Sequence, residues 1–191
     1  MAYDKLTSER LSTYSDAVFA VLVTIMVLDL KIPDGHAFSA LWALWPTFGS
    51  YVVSYIFIAI IWINHDHLMR FVDSPTLGLI WINFVHLFLV SLLPFATAWI
   101  AHTRLASVPV VFYAGLFLCV DAAYNVFERY ILTHAHASQV SPHMRQVARR
   151  RSLIVLASSA VAVFIAFFAP RLSFGLICCV LILHLRPDAR A

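Results

Sequence analysis

The chain has 191 residues, 62% of them hydrophobic and only 12% charged, with a formal net charge of +3. Soluble domains are close to half apolar and a quarter charged, and a chain this short has too little interior to hide so much apolar surface from water. That composition excludes a soluble globular protein and makes lipid the solvent, while the lack of a Lys/Arg-rich tract with interleaved aromatics argues against a nucleic-acid partner.

A helix needs about 20 mostly apolar residues to cross the hydrocarbon core. The first predicted segment, 13–30, follows the polar start MAYDKLTSER. An arginine precedes the apolar run and no cleavage site follows it, so no cleavable leader is expected. At about 100° per residue, Ala17, Val21, Thr24, Ile25 and Leu28 fall on one stripe. Ser12, Ser15 and Asp16 point away from it. An unpaired carboxylate in hydrocarbon costs on the order of several kcal/mol, so this polar face is expected to pack on other helices. Arg10 and Asp16 are six residues apart and cannot pair on one helix face. Their partners must come from another helix or another subunit, with Trp62, His65, Asn83 and His86 as candidates.

The second segment, 41–64, carries Trp62 near its end and is followed by His65. The third, 77–100, carries Asn83 and His86 at i, i+3, which share a face. The fourth is 108–130. The fifth and sixth, 153–169 and 172–185, are short and divided by Pro170-Arg171. Read as a helical hairpin they give six spans; fused into one kinked helix they give five. The only sizeable polar connection is expected from Leu132 to Arg151.

Charge placement favours six spans with the N-terminus inside. The inner segments then hold Lys5, Arg10, Arg70, Arg129, Arg145, Arg149, Arg150, Arg151, Arg186 and Arg190, against Lys31, Arg104 and Arg171 outside. Basic residues flank the cytoplasmic ends of membrane helices, so a multi-pass protein of the cell membrane with both termini cytoplasmic is expected. Trp42, Trp45, Trp81 and Trp99 lie near segment ends, where tryptophan settles at the interface. The expected fold is an all-α integral membrane protein with a single domain over 1–191.

The run Arg10-Leu-Ser-Thr-Tyr14-Ser15-Asp16 resembles the Arg-x-x-x-Phe-Ser-Asp signature of the endolysosomal potassium channel family (transmembrane protein 175) and its bacterial relatives. Val18-Phe19-Ala20, Thr24, Asp29, Trp62-Ile-Asn-His65, Asn83 and Leu93-Pro94-Phe95 are similar to it as well. The match covers the first three segments; the last three agree only as apolar runs. The resemblance implies one six-helix repeat per subunit and a homotetramer around a central pore lined by the first helix. It implies a potassium-preferring cation channel in the bilayer, with K+ as the permeant ion, no cofactor and no enzymatic activity. It assigns the pore face to Val21, Thr24, Ile25 and Leu28, the positions of the helical stripe. No Thr-Val-Gly-Tyr-Gly filter occurs in the chain.

Four copies of Val21, Ile25 and Leu28 would stack as apolar rings that gate by dewetting. A ring of Thr24 hydroxyls would contact a partly dehydrated cation and bear on selectivity. Arg10, Ser15, Asp16, Trp62, His65 and Asn83 would form a structural polar network. The chain departs from the family at Val21, which is smaller than the usual leucine or isoleucine, so the narrowest ring is at Val21, Ile25 or Leu28. Tyr14 for phenylalanine keeps the ring.

Other chemistry is thinner. His65-Asp66-His67 and His134-Ala-His136 are i, i+2 pairs that do not face one side of a helix, leaving only a loop metal site open. Cys119, Cys178 and Cys179 lie in apolar runs without ligand or redox spacing. A proton leak or proton-coupled carrier is the alternative function, resting on Asp16, Asp29, Asp121, His86 and Glu128 near membrane depth. Asp121 with Asn125 makes too small a set for an intramembrane enzyme.

Overall fold

The computed structural model describes residues 7–30, 32–33, 35–42, 44–135 and 141–184. Among the described residues the chain is all helical. α1 spans Ser8–Met26 and tightens into a 3₁₀ turn over Val27–Asp29; α2 is the short Phe38–Trp42; α3 is Trp45–Met69. α4, Leu77–Ser91, and α5, Leu93–His102, follow in line; α6 is Ser107–His134, α7 Pro142–Ala166 and α8 Pro170–His184. Four helical stretches among the described residues are long and apolar enough to cross a bilayer: Ser8–Asp29, Trp45–Met69, Leu77–His102 and Ser107–His134.

Side-chain caps begin three of the helices. Thr7, Thr76 and Ser141 each accept a hydrogen bond from a backbone N–H in the first turn that follows, which satisfies donors left free at every helix start. Proline occupies the first turn of α3, α5 and α7, where its missing N–H costs nothing. Pro94 also explains why the third segment divides, because it cannot donate back to the preceding turn. The α5–α6 connection is tight, with Arg104 and Leu105 at φ of 50° and 65°, a left-handed backbone that costs a non-glycine residue about 1 kcal/mol or more.

The expected boundaries shift at both ends of the second segment, where α3 runs Trp45–Met69 rather than 41–64 and so carries His65 within the helix, and at two helix starts. α1 starts at Ser8 rather than 13, and α7 starts at Pro142 rather than 153. The polar connection expected from Leu132 to Arg151 is therefore mostly helix: α6 runs to His134, and Arg149, Arg150 and Arg151 lie on α7. α7 and α8 are separate helices divided by a turn at 167–169 and packed on one another. Lys5, Lys31, His136, Arg186 and Arg190 lie outside the described residues.

The core gathers where α3, α5, α6, α7 and α8 meet. Phe57 and Phe117 stack with ring centroids 3.7 Å apart, and Tyr113 packs 4.6 Å from Phe117. The buried Tyr113 hydroxyl is 2.7 Å from Ser54 Oγ, which also accepts from Thr97 at 2.7 Å. In lipid the drive to associate comes from packing and such bonds rather than from excluded water. Phe57→Ala is expected to cost about 3 kcal/mol by leaving a cavity against Phe117, measured as a lower unfolding midpoint in detergent.

Candidate functional site

α1 has two unlike faces because its large apolar and small polar residues keep a 3.6-residue period. Leu11, Ser15, Phe19, Leu22 and Met26 are buried against the bundle. On the opposite side Val21, Ile25 and Leu28 are 52%, 46% and 78% exposed, with Ala17 and Thr24 exposed beside them. The expected stripe is thus a continuous free surface of the single chain. Thr24 donates its hydroxyl hydrogen to backbone carbonyls of its own helix, 2.9 Å from Val21 O and 3.2 Å from Ala20 O. That leaves hydroxyl lone pairs as the polar feature of an apolar stripe.

A string of side chains pins the other face. Asn83 Nδ2 of α4 donates to Ser15 Oγ at 3.0 Å, and Ser15 Oγ donates to Leu11 O at 2.9 Å. Asn83 Oδ1 meets His65 Nε2 of α3 at 2.7 Å. With the Asn83 amide nitrogen used as donor, its oxygen must accept, so the network assigns the hydrogen of His65 to Nε2. Ser15, His65 and Asn83 are all fully buried. One residue on, Trp62 Nε1 donates to Asp16 Oδ1 at 2.8 Å in a more exposed setting.

The candidate residues therefore divide. Ser15, Asn83 and His65 form one bonded string, and Asp16 with Trp62 a second contact beside it. Arg10 is exposed, and its side chain makes no hydrogen bond or ion pair among the described residues. His86 shares the buried face of α4 with Asn83 but joins no hydrogen bond of normal geometry. Asp29 sits exposed on the 3₁₀ turn. Among the described residues no group of three or more His, Cys, Asp or Glu could hold a metal ion.

One polar seam was not expected in this form. On α6, Asp121 accepts from Ser159 of α7, and Glu128 accepts from Ser152 of α7. Arg151, expected only as a topology signal, donates to Asn64 Oδ1 of α3 at 3.1 Å. The readable signal is a matched spacing: the two carboxylates and the two serines are each seven residues apart, two helical turns.

Comparison with known proteins bears on this arrangement. Residues 10–94 match the family described as the endosomal/lysosomal potassium channel TMEM175. A potassium channel of Chryseobacterium sp. (strain P1-3) is 34% identical over 187 residues, covering 97% of this chain and 96% of that protein. The chain belongs to the TMEM175 family. The fold agrees over nearly the full length. The crystal structure of a lysosomal potassium-selective channel TMEM175 homolog from Chamaesiphon minutus superposes with a TM-score of 0.81 at 27% identity, covering 93% of this chain and 95% of that one. The human endosomal/lysosomal proton channel TMEM175 is 29% identical over 106 residues, which is 49% of this chain and 21% of the human protein. These TMEM175 relatives are named as channels rather than enzymes. The family match begins at Arg10 and ends at Pro94, so it takes in α1 and both helices that pin it.

Proposed function

We propose that four copies of this chain form a potassium-conducting channel in the cell membrane, its pore lined by the exposed stripe of α1. The observation that carries this reading is the stripe itself. A helix pinned by buried polar bonds along one face leaves Val21, Ile25 and Leu28 uncovered on the other, with one hydroxyl among them. In lipid such a face is suited to an axis shared by several copies. The likeness to named potassium channels over nearly the whole chain supports the same reading.

The proposed subunit is a single six-helix domain over 1–191, with α4 and α5 forming one crossing and α7 and α8 a hairpin. Both termini are cytoplasmic, because this orientation keeps Arg145, Arg149, Arg150 and Arg151 inside. Rings of Val21, Ile25 and Leu28 give a permeating ion nothing to replace its hydration shell, so they gate by dewetting. The Thr24 ring supplies hydroxyl oxygens to a partly dehydrated K+. Arg10, Ser15, Asp16, Trp62, His65 and Asn83 set the tilt of α1, and Arg10 is left to bond a neighbouring subunit. Conduction is passive and calls for no cofactor.

A proton channel is the second reading. The human relative carries that name, and the buried Asp121 and His86 are ionisable groups within the bundle. Recording purified protein in planar bilayers under potassium and sodium gradients separates the two. Discrete steps reversing toward potassium, with the potassium preference weakened about threefold or more in Thr24→Ala, are expected. Flux that follows a pH gradient and shows no potassium preference would replace this reading with the proton one.

A further inference from the structure

The α5–α6 and α7–α8 turns meet at one end of the bundle. They flank an open cavity of about 490 Å³, lined by Arg104, Leu105 and Ser107 from the first turn and by Ala169, Arg171 and Leu172 from the second. Both turns are fastened to the structure behind them. The Leu105 N–H donates to Ile100 O at 3.0 Å, and the Leu105 side chain packs against the core. The buried Ser173 hydroxyl donates to Ala162 O at 2.7 Å, which ties the start of α8 to α7. Arg104 and Arg171 are thus anchored through their backbones. Their side chains are exposed and make no hydrogen bond or ion pair among the described residues.

Two positive charges lining one concavity, with no carboxylate among its lining residues, repel each other. Topology does not account for the pair, because the proposed orientation leaves the outer face almost bare of basic residues. Lys31, Arg104 and Arg171 are the three it holds, and the two that lie within the described residues converge on this cavity. A phosphate between them offers oxygens to both side chains, and a guanidinium meets phosphate through two parallel N–H···O bonds. The flanks of the cavity decide what carries that phosphate. Phe164, Phe167 and Phe168 at the end of α7 and Leu172 at the start of α8 are 62–78% exposed. Such an apolar surface suits acyl chains, which a free phosphate lacks.

We infer that this cavity binds the phosphate of an anionic phospholipid. Arg104 and Arg171 hold the headgroup, and the apolar side chains beside the cavity meet the acyl chains. An anionic headgroup is favoured over a zwitterionic one, because a headgroup amine would face the same two guanidiniums and be repelled. The bound lipid joins the α5–α6 turn to the α7–α8 turn and so holds the C-terminal hairpin against the rest of the bundle. The site shares no residue with the exposed stripe of α1, and the inference stands whether or not the chain conducts potassium.

The test uses the whole protein in a neutral detergent and follows bound lipid by native mass spectrometry as phosphatidylglycerol or phosphatidylcholine of the same chain length is added. Wild type is expected to hold phosphatidylglycerol about tenfold or more tightly than phosphatidylcholine. The double variant Arg104→Gln/Arg171→Gln is expected to lose that preference. Arg104→Lys/Arg171→Lys, which keeps the charge without the planar fork, is expected to keep part of it. The single variant Arg171→Gln gives the same reading should the double variant not fold. Arg149→Gln/Arg150→Gln, at the other end of α7, controls for general attraction to basic residues and is expected to retain most of the preference. Thermal melts of wild type distinguish the source of the phosphate: phosphatidylglycerol is expected to raise the midpoint and inorganic phosphate alone to leave it unchanged. No preference in wild type, a preference that survives in the glutamine variants, or an equal loss in the Arg149/Arg150 pair overturns the site. A midpoint raised as much by inorganic phosphate as by the lipid overturns the lipid as its occupant.

Discussion

Ile25→Asn is expected to raise potassium current about tenfold and to reduce the preference for potassium over sodium. Ile25 lies midway along the exposed stripe, between Thr24 and Leu28. In the proposed tetramer a ring of four isoleucines would offer a passing cation neither charge nor hydrogen-bonding atoms, so the ion would cross at the cost of part of its hydration. Four asparagine amides hold water in the same place. A barrier lowered by about 1.4 kcal/mol gives the tenfold gain. The variant adds a polar group only on the exposed face of α1 and leaves the buried Leu22 and Met26 untouched, so assembly should persist. Val21→Asn and Leu28→Asn, measured alongside, rank the three rings. The largest gain marks the narrowest one, which matters because Val21 is the smallest side chain of the three. Unchanged current in all three variants, with normal assembly, would remove the apolar stripe from the conduction path.

The two-faced character of α1 was legible in the sequence because one helix carries both halves of the pattern. Its period places Val21, Ile25 and Leu28 together whatever the rest of the fold does. The shared face of Asn83 and His86 was readable for the same local reason. Boundaries were less legible where a helix begins outside the apolar run. Hydropathy finds where lipid begins, whereas a helix begins at its cap. Thr7 and Ser141 cap α1 and α7 well before the apolar stretches start, and the Ser141-Pro142 pair was a readable start signal that hydropathy overrode. The α6–α7 seam was not legible, since pairing Asp121 with Ser159 requires knowing which helices pack. The matched seven-residue spacings only narrow that choice. The burial of His86 beside the Val120 carbonyl is likewise a property of packing: the sequence marks the residue, not what surrounds it.

Asn83→Leu is expected to reduce assembled protein more than Asp16→Ala does, although Asp16 belongs to the conspicuous motif. Asn83 serves both ends of the buried string, accepting from His65 and donating to Ser15. Leucine is close in volume, so packing survives while the His65 N–H loses its acceptor in a fully buried site. Stranding one such donor costs about 1–3 kcal/mol, and Ser15 still satisfies its own hydrogen on Leu11 O. Asp16 accepts from Trp62 near the surface of the subunit, where water can replace it. Its removal should cost less than stranding the buried His65 donor, because water takes its place. Size-exclusion chromatography and thermal melts of the three proteins in one detergent measure the order directly. A loss in Asp16→Ala equal to that in Asn83→Leu would mean that Asp16 has a second, costlier partner in the assembled channel. The exposed Arg10 of a neighbouring subunit is the group to test for that role, by asking whether Arg10→Ala and Asp16→Ala together lose no more than either alone.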